Sequence, residues 1–414
     1  MKRLSARILL VFSLCLAGLA PAAHAAAAPL ALDPSFGQGG IVRGGTGVPD
    51  YRSAAGVAVA PGGDVLVVGV GSEGTAVARY LPNGKPDPGY GQGGIADLDG
   101  SVPAGDSTSL ESVGGINDLA VDSRGRALLL WRGSKLTRLT AGGEIDRSFG
   151  VAGTVTLSGR LTTPHFVRFV TLANGRILLA GYGYGSSRMY VQRLLADGSP
   201  DRSFGTNGLA SVVAGNPKRN AAALRLAVGP GGDITLAGFA SQRPALVRLL
   251  ADGKPDRAFG QDGRAVLPSW LGGQASALTL TSGGGAMIGC RCWNRSTGSR
   301  RLALLRFGPR GRLDRRFFAA SLVRERGGNG FRPTALLLTG GWILAAGGGQ
   351  GPSLRIFHAD GRPGPSLAGV EGVPSDRFSG VFAAAQGEKP LLLWTPKAQQ
   401  PPGAELLLER FLVR

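Results

Sequence analysis

The sequence is poor in the residues that most often carry chemistry. It has three cysteines and three histidines in 414 residues, and none of them has the spacing of a metal-binding motif. It also lacks a Gly-x-Ser-x-Gly elbow before a helix and a phosphate-binding loop, because glycine-rich runs such as Gly347–Gly349 follow strand-like segments without a helix after them. The sequence therefore predicts no catalytic residue, no metal ligand and no cofactor-binding residue.

Long hydrophobic runs are also missing. The mostly apolar segment Ile8–Leu19 is too short to cross a membrane. It follows three basic residues and precedes the small residues of Ala23–Ala25. This pattern predicts a cleaved secretory signal peptide over residues 1–25, with the cleavage site near Ala25. We therefore expect a soluble protein in the periplasm or the medium, without a transmembrane segment.

Acidic residues are scarce relative to basic ones. The 27 aspartates and glutamates against 46 lysines and arginines give a net charge of +19, which falls to +16 when the three basic residues of the signal peptide are removed. Such a charge favours anionic partners. Glycine, in contrast, is abundant, at 69 residues, while 43% of the residues are hydrophobic. Many short apolar runs broken by Gly, Pro, Asn and Asp are typical of an all-β protein.

One phrase recurs at intervals of roughly 55 residues, which is the signature of a repeat architecture. Its clearest copy runs from Asp201 to Gly208 and follows an Asp-Gly turn at Asp197–Gly198. The aspartates that open its copies are Asp33, Asp87, Asp146, Asp201, Asp256 and Asp314. Each unit holds about four predicted strands and no helix. The unit at residues 220–267 has strands at Ala222–Val228, Ile234–Phe239, Ala245–Leu250 and Gly263–Leu267.

The two ends of the chain hold complementary parts of one unit. The seventh unit ends with its third strand, whereas the N-terminal part begins with an isolated phrase at Asp33 and a short strand at Gly40–Val42. A closed ring lets this strand complete the last sheet and leaves no exposed edge. We therefore predict an all-β fold, a seven-bladed β-propeller of four-stranded blades in one domain over residues 26–414. Its last blade is shared by residues 30–44 and 375–414.

An arginine stands eight residues before the phrase aspartate in five units. These pairs are Arg79 and Asp87, Arg138 and Asp146, Arg193 and Asp201, Arg248 and Asp256, and Arg306 and Asp314. In the sixth unit both positions are changed together, to Ile356 and Gly364. Joint loss suggests that the two side chains touch, because a buried arginine needs an anionic partner. The same reasoning predicts that Arg410 pairs with Asp33 across the closure of the ring.

The phrase aspartates allow two interpretations. In the structural one, each accepts hydrogen bonds from its arginine and from N–H groups of the following turn. In the functional one, Asp197 with Asp201, or Asp252 with Asp256, binds calcium. Calcium requires six to eight oxygen ligands, and other units replace the first aspartate of this set. The structural interpretation is therefore favoured.

The units resemble the delta-60 repeat family, which consists of bacterial exported β-propeller repeats with a Leu-Asp-x-Ser-Phe-Gly-x-x-Gly phrase after an Asp-Gly turn. The resemblance covers nearly the whole mature chain and is strongest in units one to four. It implies a propeller, usually outside the cytoplasm, and it brings neither an activity nor catalytic residues. The sequence departs from the phrase at Phe318, Gly364 and Leu367.

Arginine is concentrated in one part of the chain. Residues 291–332 contain twelve arginines against Asp314 and Glu325. The arginines with loop-like surroundings are the candidate anion-binding residues, namely Arg295, Arg300, Arg301, Arg310 and Arg312. A basic face attracts polyanions such as an anionic polysaccharide or lipid headgroups. Because few aromatic residues are interleaved with these arginines, specific nucleic-acid binding is not expected.

Cys290 and Cys292 are the two cysteines that remain after removal of the signal peptide. Residues two apart in a strand point to the same face, and their spacing lies at the edge of disulfide geometry. The pair therefore allows buried thiols, a disulfide bridge or part of a soft-metal site.

We expect a monomeric, non-catalytic binding or scaffold protein. Its variable loops, among them Gly100–Glu111 and Ala214–Ala221, would bind an anionic glycan, a lipid headgroup or a protein partner. The alternative is a carbohydrate-active hydrolase or lyase with carboxylates in the axial pocket. His165 is the only histidine placed to serve such a site, because it comes just before a first strand.

Overall fold

The computed structural model describes most of the chain outside the N-terminal segment. The described residues are 30–43, 53–70, 74–98, 116–131, 134–157, 165–216, 218–265, 267–324, 331–348, 352–365, 378–396 and 406–413. The predicted signal peptide and the loop Gly100–Glu111 lie outside these ranges. No helix in the described part is long and apolar enough to span a membrane.

The chain forms seven antiparallel sheets, which we number as blades 1 to 7. The N-terminal strands are β1 (Leu30–Leu32) and β2 (Ile41–Arg43). Blade 1 contains β3 (Ser53–Val59), β4 (Val65–Val70), β5 (Thr75–Tyr80) and β6 (Ile95–Asp97). Blade 2 contains β7 (Ile116–Val121), β8 (Ala127–Trp131), β9 (Lys135–Arg138) and β10 (Thr154–Thr156). Blade 3 contains β11 (His165–Thr171), β12 (Ile177–Tyr182), β13 (Arg188–Leu194) and β14 (Leu209–Val213).

The remaining blades follow the same plan. Blade 4 contains β15 (Ala221–Val228), β16 (Ile234–Ala240) and β17 (Arg243–Leu249). Blade 5 contains β18 (Leu271–Leu280), β19 (Ala286–Asn294), β20 (Arg300–Phe307), the helix α1 (Arg315–Ala320) and β21 (Val323–Arg324). Blade 6 contains β22 (Arg332–Thr339), β23 (Trp342–Gly348) and β24 (Pro352–His358). Blade 7 contains β25 (Phe378–Gln386), β26 (Lys389–Pro396) and β27 (Leu407–Val413), joined by β1 and β2.

The first strands of the blades form a closed ring around a central channel. They contact one another in the order β3, β7, β11, β15, β18, β22, β25 and back to β3. Both faces of each blade pack on neighbouring blades. This explains why second strands such as Ala127–Trp131 are continuous hydrophobic runs with almost every residue buried. The prediction of a seven-bladed propeller is confirmed.

The ring closes through the N-terminal strands, as predicted. β27 pairs with β26 on one side, and on the other side with β1, through Leu30 and Val413, and with β2, through Ile41 and Glu409. Residues from opposite ends of the chain therefore form one sheet. The backbone N–H and C=O groups along this edge of β27 are therefore paired with β1 and β2. Without these strands the edge would be open to pairing with another chain.

Blade 5 departs from the prediction that the units contain no helix. The phrase glycine of other units, such as Gly205, has a positive φ of 53°, which side chains of L-residues disfavour. Phe318 occupies this position in blade 5, and the chain continues instead into the short helix α1. The Oδ1 atom of Asp314 caps the helix by accepting a hydrogen bond from the Phe317 N–H. In blade 4, the predicted fourth strand is reduced to a bridge between Val247 and Arg264.

Candidate functional site

The structure brings all six predicted arginine and aspartate pairs within ion-pair distance. The shortest nitrogen–oxygen distances are 2.5 Å for Arg79 and Asp87, 2.8 Å for Arg138 and Asp146, 2.8 Å for Arg193 and Asp201, 2.7 Å for Arg248 and Asp256, 2.7 Å for Arg306 and Asp314, and 2.8 Å for Arg410 and Asp33. Five pairs are largely buried. The pair at Asp314 is about one-third exposed, at 36% and 34% of the two side chains, and it is the pair beside α1.

Each arginine also contacts the aromatic ring of its phrase and the next blade. The guanidinium carbon lies 4.3–4.6 Å from the ring centroid in all six copies. In blade 3, Arg193 Nη1 donates to the carbonyl of Ala251 in blade 4 over 2.7 Å, and the Gly205 N–H donates to the carbonyl of Asp252 over 2.9 Å. We call this set of arginine, aspartate, aromatic ring and neighbouring turn the blade lock. The sequence suggested the ion pair but not the bond to the next blade.

The lock aspartates divide their two oxygens between two tasks. Oδ1 of Asp201 accepts from the hydroxyl and N–H of Ser203, while Oδ2 accepts from Arg193 and Arg176. The hydrogen bond from the Ser203 hydroxyl is the main reason why the pKa of Asp201 is lowered to about 2, and the arginines add to it against the opposing effect of burial. Burial opposes ionisation of Asp33 most strongly, yet hydrogen bonds from Lys389 and Ser35 still keep the pKa of Asp33 below its usual range.

The described residues do not provide the set of ligands that a calcium ion would need in these loops. Asp197 uses Oδ1 to bind the hydroxyl and N–H of Ser199, and Asp252 pairs with Lys254. The described part of the chain contains no group of three or more His, Cys, Asp or Glu residues that could hold a metal ion. The turn and phrase aspartates are therefore occupied by local hydrogen bonds and ion pairs.

The five candidate anion-binding arginines do not lie together. Arg295 and Arg301 lie near the start of β20, and the backbone of Arg300 begins this strand. Arg310 and Arg312 lie in the turn that follows its end. An eight-residue strand separates the two groups by roughly 20–25 Å. The prediction grouped residues that are close in sequence but stand at opposite ends of the blade.

Arg310 and Arg312 instead lie beside exposed arginines of two phrases. The carbonyl of Arg310 accepts a hydrogen bond from Gly260 N–H, 2.9 Å away, so that the turn of blade 5 rests on the phrase that carries Arg257 in blade 4. We call the resulting surface the basic arc; it consists of Arg257, Arg310, Arg312, Arg315 and Arg316. All five side chains are exposed, and none forms an ion pair or side-chain hydrogen bond with another described residue.

Three other blade junctions carry an aspartate where the arc has Arg310, namely Asp197, Asp252 and Asp360. The phrase arginine Arg202 of blade 3 meets the turn of Asp252, because the Gly205 N–H donates to the Asp252 carbonyl. Two of these turns also hold their own cation, through the pairs of Asp252 with Lys254 at 3.0 Å and Asp360 with Arg362 at 2.7 Å. The junction of blades 4 and 5 therefore has cations from both sides.

A second surface feature lies at the opposite end of the blades, at the mouth of the channel. Two adjoining cavities of about 280 and 420 Å³ share Gln274 and Arg332 in their linings. We call them together the mouth cavity, lined by Tyr182, Tyr184, Asn220, Gln274, Arg291, Trp293 and Arg332 among others. His165 lies at its edge, with ring centroids 5.4 Å from Tyr182 and 6.1 Å from Tyr184. The predicted loop Ala214–Ala221 contributes Asn220 and Ala221.

The two cysteines form a disulfide bridge on the strand that borders this cavity. Cys290 and Cys292 are buried among residues of blades 4 and 5. Alternation along β19 turns Arg291 and Trp293 to the opposite face, where they line the cavity. The disulfide bridge is therefore the one of the three interpretations of the cysteine pair that the structure contains.

A cluster of charged side chains lies further inside the channel than the mouth cavity. Every first strand has a β-bulge at the same place, and the residues just after three of these bulges are Asp118, Arg168 and Arg225. Arg225 donates to the carbonyl of Thr334 in blade 6 at 3.2 Å. Asp118 keeps some surface toward the channel, but burial raises its pKa above the usual value, against the opposing effect of Arg168. The bulges give no clear signal in the sequence.

The carboxylates expected for a sugar hydrolase are not paired in the described residues. Among the described residues that line the two parts of the mouth cavity, none is an aspartate or a glutamate. Asp118 is the carboxylate of the axial cluster, and its Oδ2 accepts a hydrogen bond from the Phe169 N–H at 2.9 Å. Glycoside hydrolysis generally uses two carboxylates on either side of the bond that is cleaved. The described residues of the mouth cavity and the axial cluster do not supply such a pair.

Comparison with known proteins supports a β-propeller repeat family. A family model described as "Domain of unknown function (DUF5122) beta-propeller" matches residues 172–204 and 231–259. Both matched segments end at a phrase aromatic, Phe204 or Phe259. No curated protein matches the sequence.

Several solved propellers are similar in structure. The Dos1 propeller has 10% identity and a TM-score of 0.50 over 88% of this chain and 83% of that chain. The Cps50 (Swd1) β-propeller domain of Myceliophteria thermophila has 12% identity and a TM-score of 0.49 over 87% and 96%. PorZ, a surface component of the type-IX secretion system of Porphyromonas gingivalis, has 11% identity and a TM-score of 0.48, and this chain covers 46% of it. At these identities, the likeness shows the β-propeller fold alone.

Proposed function

We propose that the protein is a non-catalytic β-propeller that works outside the cytoplasm and binds an anionic polysaccharide through the basic arc. The observation that carries this proposal is the junction of blades 4 and 5, where Arg257 and Arg310 occupy adjacent turns without a paired carboxylate. The two carboxylates of this phrase, Asp256 and Asp262, form no ion pair with Arg257 among the described residues, and Asp256 pairs with Arg248 instead.

The chemistry of the arc suits carboxylate or sulfate groups repeated along a chain. A guanidinium offers a planar fork of donors that matches such oxyanions in a bidentate way. Because five of these forks are exposed on adjoining turns and on the first residues of α1, an extended anion can contact several of them at once. The signal-peptide pattern and the resemblance to delta-60 repeats support a location in the periplasm or the medium.

The arc also contains residues that differ between the blades, whereas the residues that hold the ring together recur in most of them. The lock occurs in nearly every unit, so that its residues maintain the ring. Arg310 and the second phrase arginine, Arg316, occur in blade 5 alone among the described units. Binding residues are more often found on loops that differ while the scaffold stays constant.

The test compares two variants that remove the same charge from equivalent positions. Arg257→Gln changes the arc, and Arg202→Gln changes the matching phrase of blade 3, which meets an acidic turn. Retention on immobilised alginate is measured with a salt gradient. We expect Arg257→Gln to elute at clearly lower salt and Arg202→Gln to elute with the unmodified protein.

Arg310→Asp provides the stronger test, because it installs the aspartate that turns at 197, 252 and 360 already tolerate. We expect this variant to lose most of its retention without a loss of thermal stability. Equal elution of the Arg257→Gln and Arg202→Gln variants would show general charge attraction and would contradict the proposal. Binding to phosphatidylglycerol vesicles without binding to alginate would also contradict it and would assign the arc to a membrane surface.

A further inference from the structure

The mouth cavity is a second binding site, separate from the basic arc and placed at the other end of the blades. We propose that it binds a single carboxylated sugar residue, either free or at the end of a chain. The proposal rests on four properties of the cavity: its charge, its aromatic surface, its amide groups and its rigidity.

The charge of the cavity selects an anion. Arg291 and Arg332 both line it, and neither forms an ion pair or side-chain hydrogen bond with another described residue. No described lining residue is acidic. Two cations left without a counter-ion in a concave site favour an anionic ligand, and the fork of an arginine matches a carboxylate.

The aromatic surface favours a sugar over a simple carboxylic acid. Tyr184 is 73% exposed at the cavity, which is unusual for so large an apolar surface. Its ring lies 5.7 Å from that of Tyr182 at an angle of 81°, so that the two rings form a corner. The indole of Trp293 lines the other part of the cavity. Aromatic faces pack well on apolar C–H surface while their polar edges remain free to hydrogen-bond.

Amide side chains supply partners for hydroxyl groups. Gln274 lies directly opposite Arg291 in the sheet, which places an amide beside a guanidinium. Asn220 lies on the side of the two tyrosines. An amide both donates and accepts hydrogen bonds, as a sugar hydroxyl does. The two cavities, joined at Gln274 and Arg332, lie in the size range of small-molecule sites, roughly 300–1,000 Å³.

The surrounding structure holds these groups in place before a ligand arrives. The disulfide of Cys290 and Cys292 fixes the far face of the strand that carries Arg291. Trp293 lies over Gly272, where a β-carbon would come within 2.4 Å of the indole nitrogen. Below the cavity, Arg225 Nη1 donates to the carbonyl of the lining residue Leu224 at 2.7 Å. Such preorganisation lowers the entropy cost of binding.

The test measures binding of trigalacturonate to the full mature protein by isothermal titration calorimetry, with maltotriose as the neutral match. We expect trigalacturonate to bind and maltotriose to bind at least tenfold more weakly. Arg332→Gln should weaken trigalacturonate binding by about tenfold or more, the loss of one charge-assisted contact. Tyr184→Ala should weaken it as well, and its exposed position leaves thermal stability unchanged.

Variants of the basic arc distinguish binding in the mouth cavity from binding at the arc. Arg257→Gln and Arg310→Asp should leave trigalacturonate binding unchanged, whereas Arg332→Gln should leave retention on alginate largely unchanged. Absence of trigalacturonate binding would overturn the assignment. Equal affinity for maltotriose, or binding that is lost in the arc variants and kept in Arg332→Gln, would overturn it as well.

Discussion

Arg410 Nε donates a hydrogen bond to Asp33 Oδ2 over 2.8 Å, although the two residues are 377 positions apart in the sequence. The same guanidinium donates through Nη1 to the carbonyl of Pro82 in blade 1. One side chain therefore joins the C-terminal strand, the N-terminal phrase and the first complete blade. The contact that closes the ring is the same contact that connects consecutive blades elsewhere.

The blade next to blade 6 differs from the neighbours of the blades that have a lock. In most blades, the arginine donates to the turn that joins the third strand of the next blade to its phrase. In blade 7, the third strand and the phrase come from opposite ends of the chain, and no such turn joins them in the described residues. An arginine at the position of Ile356 would face Val413, which is the blade 7 residue at the position of these turn acceptors but is paired with Leu30 of β1. The position is filled by a buried apolar side chain instead.

The closure lock should be essential for holding the N-terminal strands. Asp33→Asn removes the charge that Arg410 and Lys389 share. Breaking a buried ion pair in this way costs roughly 3–5 kcal/mol. We expect a lower urea midpoint, together with faster amide hydrogen exchange in β1 and β2 than in the unmodified protein.

Asp256→Asn is the matched control for this prediction. It breaks an equivalent lock inside one continuous unit, where the chain itself keeps the strand close. We expect a loss of stability without faster exchange in β1 and β2. Similar exchange of these strands in both variants would contradict a special role of Asp33 in ring closure.

The lock aspartates should make the fold sensitive to acid. The folded-state pKa of Asp201 is about 2, below the ordinary value of 3.8 for an aspartate. A lowered pKa contributes stability that is present above pH 3.8 and is lost as the pH falls toward 2. The pKa values of Asp33, Asp146 and Asp314 are lowered as well. Thermal unfolding measured from pH 5 to pH 2 should therefore show a steep fall of the melting temperature.

Asp201→Asn tests the assignment of this acid sensitivity. The variant should be less stable than the unmodified protein at pH 5, and the difference should shrink toward pH 2, because the carboxyl of Asp201 becomes protonated as the pH approaches its folded-state pKa. A constant difference over this range would mean that Asp201 titrates normally in the folded protein.

The sequence was sufficient to predict the repeat and its closure because both depend on local signals. The predicted strands Ala222–Val228 and Ile234–Phe239 differ from β15 and β16 by one residue at one end, since turn residues separate short apolar runs there. The pairing of Arg410 with Asp33 could be predicted from units in which both residues belong to one continuous segment. Because the unit is repeated, the arginine and aspartate positions of several units could be compared within one chain, which a single unit does not allow.

The candidate sites could not be predicted in the same way, because neighbouring blades contribute their residues. Arg257 and Arg310 are adjacent only because the turn of one blade packs on the phrase of another. The mouth cavity combines Tyr184 of blade 3 with Gln274 of blade 5 and Arg332 of blade 6. The regular spacing of the repeats does not identify a set of residues that comes from different blades. Grouping by distance in sequence instead joined Arg295 to Arg310 across the full length of a strand.

Glu409 should give the opposite pH dependence to the lock aspartates. It is fully buried in β27, and burial raises its pKa to about 7 although the Trp394 Nε1–H donates to its Oε2 at 2.7 Å. A raised pKa contributes stability that is fully present below pH 4.5 and is lost as the pH rises through 7. The unmodified protein should therefore lose stability between pH 4.5 and pH 7.

Glu409→Gln keeps the shape of the side chain and removes its ionisation. We expect the variant to match the unmodified protein near pH 5 and to have the higher melting temperature at pH 8. Differential scanning calorimetry at the two pH values measures this difference. Parallel melting curves at both values would show that Glu409 ionises as it does in water.

Installing a lock in blade 6 should destabilise the protein. The double variant Ile356→Arg with Gly364→Asp recreates the side chains of other units, but blade 7 offers no turn carbonyl to the arginine in the described residues. A β-carbon at Gly364 would also lie 3.2 Å from the ring of Trp342. An incompletely paired buried charge costs several kcal/mol, whereas the control Ile356→Val should cost only about 0.5–1.5 kcal/mol. Urea unfolding measures both, and a double variant more stable than the unmodified protein would show that the ion pair alone, without the next blade, is enough to make a lock.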